Sequence, residues 1–170
     1  MFFKRIELIK NMIIELTKKD VQPGYPDWHG IHKLQLPQKP GVQGGVTWCN
    51  RFLERMLLRY GYDTEILHTY APDLGVKIWG SANTLCNRLE DGVKAGSIIR
   101  LDEHDAKQKA WQAQIAIAAW ENLTGSGHVA VVFPNLKKLQ VAQAGAKNGI
   151  FDIDSRWAFG DRPYRLYAYS

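Results

Sequence analysis

At Ile115 the hydrophobic period of this chain changes, and that switch constrains the fold more than any other feature. Upstream, apolar residues recur three and four positions apart. Downstream they gather into short runs, Ile115–Trp120, His128–Phe133 and Leu139–Ala144, with Ile150–Ile153 and Tyr164–Tyr169 as two further candidates. Turn residues part them: Gly125 and Gly127 within Glu121–Gly127, and Pro134 at the head of Pro134–Lys138. Helical spacing buries one stripe of a cylinder, whereas short apolar runs bounded by turn formers fit strands. Helices first and closely linked strands after define an α+β domain with an antiparallel sheet.

The helical half has a clear centre. From Cys49 the apolar positions run Phe52, Leu53, Met56, Leu57 and Tyr60, one face of a helix that ends near Gly61. Asn50, Arg51, Glu54, Arg55 and Arg59 fall on the other side. Thr47 is a suitable N-cap, which makes Cys49 the second helical residue. A thiol there lies among unpaired N–H groups at the positive end of the helix dipole, and both favour the nucleophilic thiolate. A cysteine on an apolar helix face is also an ordinary small core residue, so this stretch alone does not assign a role.

Around it the spacing predicts an amphipathic helix over 2–18, through Ile6, Leu8, Ile9, Met12, Ile13 and Leu16. Val21 to Gly45 then carries four prolines and five glycines, a long irregular segment of the kind that usually bears function. It holds Trp28, His29, His32 and Gln43. A second helix is expected over Ser81–Glu90, stopping near Gly92, with Cys86 in the core. Ser97–Leu101 reads as a short strand. Asp102, Glu103, His104 and Asp105 read as an acidic helix start, followed by helix over Ala106–Gln114. Trp111 and Trp120 are expected in the core, and Trp28, Trp48 and Trp157 are candidate groove walls.

A length of 170 residues fits one domain spanning 1–170. No apolar run approaches the ~18 residues that a membrane span needs. Met1–Lys10 is broken by charge and lacks a continuous apolar core, so it does not read as a secretory signal. The expected location is cytoplasmic until release or export. The net charge of +5 is spread along the chain rather than gathered in a run, so it suggests nucleic-acid binding only weakly and suits an anionic polymer equally well; no nucleic-acid partner is expected. His29 and His32 lack partners at zinc spacing, and phosphate-loop and dinucleotide fingerprints are missing. Neither a metal nor a cofactor is expected.

His128 supplies a partner for the cysteine. It stands at the mouth of a strand directly after Gly125-Ser126-Gly127, and shares a strand face with Ala130 and Val132. If the next hairpin has a two- or four-residue loop, Phe133 lies opposite Lys138 and His128 opposite Gln143. Opposed residues share a face about 4.5–5.5 Å apart at Cβ. The side-chain amide then holds the imidazole, the third-member role of a Cys-His-polar triad. An odd-length loop places Ala142 or Ala144 there instead and leaves Asn148 as the orienting group.

Thr47–Phe52, Ala82-Asn83, Ile117–Asn122, Gly125–Phe133 and Val141–Gly145 together resemble the CHAP family and its NlpC-type relatives, papain-like amidases and peptidases of the bacterial cell wall. The likeness spans roughly Gly44 to Trp157. It implies a papain-like fold with the Cys49 helix packed on the sheet, Cys49 as nucleophile, His128 as general base and Gln143 or Asn148 as the orienting residue. Gln43, six residues ahead of Cys49, matches the spacing of an oxyanion-stabilising Gln. Trp48 stands where these families often have Gln. The implied substrate is peptidoglycan, cleaved by a phage lysin or by a secreted amidase toxin with its immunity protein. A silent wall-binding or phage structural module, and an acyl- or peptidyl-transferase, are the competing expectations.

Overall fold

In the computed structural model the described residues are 7, 11, 48–72, 75–143 and 149–170. Of the helix expected over 2–18, Glu7 and Asn11 are among them, both helical. Helix α1 spans Trp48–Arg59, followed by the short strands β1, His68–Ala71, and β2, Val76–Trp79. Then come α2 (Ala82–Ala95), β3 (Ile98–Leu101) and α3 (Glu103–Trp111). The rest is strand: β4 (Ala116–Trp120), β5 (His128–Phe133), β6 (Gln140–Gln143), β7 (Gly149–Asp152) and β8 (Arg165–Tyr169).

A six-stranded sheet in the order β3-β8-β4-β5-β6-β7 divides the described core, and its neighbours all pair antiparallel. The α+β reading holds, and strand alternation explains the layers. Val129, Val131, Ile117 and Ala119 face one side, where Cys49, Phe52, Leu53, Met56 and Leu57 of α1 pack with Leu85, Cys86 and Leu89 of α2. Ala130, Val132, Ala116 and Ala118 face the other, against Ala106 and Ala110 of α3 and the buried Phe159. Small alanines in the central strands let helices approach on both faces.

Several local expectations are met and others corrected. Helix α1 closes at Gly61 (φ 74°), where Gly61 N–H bonds the Leu58 carbonyl and Tyr62 N–H reaches back to Leu57. Asp102 caps α3 by accepting the Asp105 N–H at 2.8 Å. Helix α2, however, runs past Gly92 to Ala95 and stops at Gly96 (φ 79°). Gly92 is there for contact, since a Cβ would meet Ile98 Cγ1 at 2.5 Å. On the side of α1 away from the apolar stripe, Asn50 and Glu54 are buried as well. The hairpin β1–β2 was not expected, because its four-residue strands carry no apolar run. It delivers Trp79, the largest fully buried side chain among the described residues.

Candidate active site

Cys49 is the second residue of α1, as expected, and is 2% exposed. Thr47, its expected cap, lies outside the described residues. So do Gln43, Trp28, His29, His32 and Asn148, together with the side chain of Trp48. The thiol packs in the layer of Val129, whereas His128, one residue earlier on β5, turns to the other face of the sheet, where Phe159 covers it.

The histidine and its expected partner do meet, by a different register. Pairing of β5 with β6 sets Val131 opposite Ala142, Val132 opposite Val141 and Phe133 opposite Gln140. The loop is therefore six residues, 134–139, and Phe133 does not face Lys138. Asn135 absorbs the extra length. Its Oδ1 accepts the Lys137 and Lys138 N–H groups at 3.0 and 3.3 Å, and its Nδ2 bonds Gln140 Oε1 at 2.8 Å. A slip of two keeps every side chain on its face, whereas a slip of one would reverse them. Gln143 thus sits diagonally from His128 instead of directly opposite. Diagonal neighbours are within reach of long side chains, and His128 Nε2 lies 2.7 Å from Gln143 Oε1.

Gln143 is 2% exposed, so its amide needs partners. Its Nε2 donates to the Trp157 carbonyl, which turns Oε1 toward the imidazole. A carbonyl oxygen only accepts, so His128 Nε2 carries the proton and Nδ1 holds the lone pair. That leaves Nδ1 as the nitrogen able to accept a proton.

Phe159 stacks obliquely on the ring with centroids 5.0 Å apart, Trp120 pairs directly across from His128 on β4, and Trp157, whose carbonyl holds Gln143, has 40% of its surface exposed. Arg162 lies over the Trp120 ring at 4.9 Å, and Arg156 over Trp157 at 4.6 Å. Burial, above all, holds the His128 pKa below its ordinary value; the Gln143 hydrogen bond opposes this and the Arg162 charge adds to it. The shift favours the neutral imidazole. Among the described residues its hydrogen-bond partner is Gln143, and Cys49 is not among its hydrogen-bond partners.

The other thiol has a different character. Cys86 is pushed up to about 12 by burial first and by the nearby Glu121 charge second. It is a protonated, inert core residue. No spacing signal marks Phe159 or Arg162, whereas Asn83 and Asn122 lie in stretches that carry the family resemblance.

No family model and no curated protein matches this chain. Among the described residues, no helix is long and apolar enough to cross a membrane.

Proposed function

We propose that this chain is a papain-like thiol hydrolase of the CHAP or NlpC type, cleaving an amide bond of peptidoglycan. The observation that carries this reading is the chain Trp157 carbonyl, Gln143 amide, His128 Nε2–H, which holds a neutral imidazole with Nδ1 available as base. In the proposed reaction Cys49 Sγ attacks the amide carbonyl while His128 Nδ1 takes the thiol proton. The tetrahedral intermediate collapses as the imidazolium returns that proton to the leaving amine, which leaves a thioester. Water, deprotonated by His128, then releases the acid and regenerates the thiol. The Cys49 backbone N–H, with the Gln43 amide that the sequence suggests, stabilises the oxyanion. Trp157 offers an aromatic wall, and the basic surface suits an anionic wall polymer.

The 2% exposure of Cys49 favours one competing reading, a silent wall-binding module that kept the fold. Mass spectrometry of muropeptides after incubation with purified sacculi separates the two. A hydrolase yields new amine and acid ends at one bond, and a transferase yields a new amide or ester. Unchanged muropeptides with retained sacculus binding overturn the hydrolase.

The histidine also sets a pH dependence. Catalysis needs its neutral form, so kcat/KM rises as pH climbs through the His128 pKa. Because that value is depressed, the acid limb lies below the ordinary histidine value of about 6.5. In Gln143→Leu the limb moves still lower, since the lost hydrogen bond had favoured the charged ring, while the plateau drops by about 10²-fold as the ring loses its orientation. A pH–rate profile of the variant with an unmoved limb and full plateau overturns the role of Gln143.

A further inference from the structure

The two halves of the candidate site are attached to opposite ends of one short segment, residues 79–83. At its start, Trp79 Nε1–H donates to the Asn50 carbonyl at 2.8 Å, and Asn50 Nδ2–H donates back to the Gly80 carbonyl at 2.7 Å. Both bonds are buried, and Asn50 directly follows Cys49. Ser81 then caps α2. At the end of the segment stands Asn83, which reaches across to the link between β4 and β5.

Asn83 spends its whole amide on that link. Its Nδ2 donates to the carbonyls of Asn122 and Gly125, each at 2.8 Å, and its Oδ1 accepts the Asn122 N–H at 2.9 Å. The next contact is steric. A Cβ at Gly127 would lie 2.2 Å from Asn83 Oδ1 and 2.5 Å from the Trp120 carbonyl, so only glycine permits this approach. Gly127 is the residue before His128. The Asn50 hydrogen bonds thus hold the residue next to Cys49, and the Asn83 side chain, by steric contact at Gly127, meets the residue before His128.

We infer that Asn83, with Asn50 as its counterpart on α1, is a positioning residue that sets the spacing between the start of the Cys49 helix and the His128 strand mouth. The inference rests on the thiol-hydrolase reading for its consequence, though not for its geometry. A pin that only steadied a surface turn would not need to touch the residue before the base. Here the amide has no unused donor, so the link cannot shift without breaking a hydrogen bond between backbone and side chain. Small displacements of a base count heavily, because a misplacement of about 1 Å costs on the order of 10²-fold.

The test uses the full chain with Asn83→Asp, which keeps size and the acceptor for Asn122 N–H but loses both donated bonds. Asn83→Ala is a second variant, and Thr124→Ala is a control that removes a different hydrogen bond of the same link, Thr124 Oγ1–H to Asn122 Oδ1. Two measurements are made on the folded proteins: the NMR titration of the His128 ring, and the iodoacetamide labelling rate of Cys49 against pH. In Asn83→Asp the His128 titration moves toward the ordinary value of about 6.5, and labelling at pH 7 slows by about 10- to 100-fold. Thr124→Ala keeps wild-type values in both. An unmoved titration with an unchanged rate in folded Asn83→Asp overturns the positioning role, as does an equal response in Thr124→Ala. If instead the titration moves while His128→Ala labels as fast as wild type, the positioning role stands and the thiol-hydrolase reading falls.

Discussion

Under the proposed hydrolase reading, Cys49→Ala is expected to remove hydrolysis of purified sacculi, by at least about 10⁴-fold, while the domain stays folded; losses of this size follow removal of a nucleophile in related triad chemistry. The two consequences separate for a physical reason. The sulfur is one buried atom at a helix start, and its loss falls within the usual ~1 kcal/mol of a small core truncation. No other group among the described residues can take over the attack. Cys86, pushed up to about 12, stays a thiol at working pH, so Cys86→Ala keeps full activity. Turbidity loss of a sacculus suspension, with thermal unfolding run beside it, reads both effects. Lysis that persists in folded Cys49→Ala sinks the nucleophile assignment. Lysis lost in Cys86→Ala as well would point to a packing defect.

The distribution of what the sequence revealed follows from how local each signal is. Strand β5 was read to the residue, since His128–Phe133 is an unbroken β-type run between Gly127 and Pro134. The cysteine helix was equally plain, because its apolar stripe and the Gly61 stop are written in the spacing of the chain. The hairpin register was not. It depends on Asn135, whose side chain folds back on Lys137 and Lys138 and lengthens the turn by two residues. The His128–Gln143 partnership survived that error only because an even slip preserves the face. Gly92 misled for a related reason: the same residue type ends helices and lets elements touch, and only the packing of Ile98 tells which.

Buried polar groups were the least legible. Asn50 falls opposite the apolar stripe of its helix, yet its amide and carbonyl are both used by residues 79 and 80, some thirty positions on. Asn83 lies in a stretch that carries the family resemblance, but its spacing indicates no task. Phe159, which covers the histidine, comes from a turn-rich segment without periodicity. Each of these depends on a partner distant in sequence, and spacing rules describe only neighbours along an element. The same property makes them informative in three dimensions. A polar side chain withdrawn from water must be matched, and its partners mark where the chain is held in one arrangement.

Trp79→Ala is the substitution that most weakens the fold, by about 3–5 kcal/mol from lost burial and the cavity left behind. The indole is fully buried between the hairpin and both helices of its layer, with His68 edge-on at 5.7 Å. Its Nε1–H also satisfies the Asn50 carbonyl, so truncation leaves that group without its side-chain donor, which adds to the cost. A domain of this size has about 5–15 kcal/mol in total, so Trp79→Ala brings it to the edge of unfolding. Trp79→Phe separates the two contributions. It keeps much of the apolar volume and loses only the hydrogen bond, so it destabilises by about 1–3 kcal/mol. Urea unfolding midpoints at constant slope measure both. If Trp79→Phe costs as much as Trp79→Ala, the N–H to Asn50 bond dominates. If Trp79→Ala costs under about 1 kcal/mol, Trp79 is not the anchor of this layer, a result incompatible with the usual cost of removing a buried tryptophan. Because the same bond grips the residue after Cys49, Trp79→Phe also slows thiol labelling in the folded protein, which links core packing to the geometry on which the proposed chemistry depends.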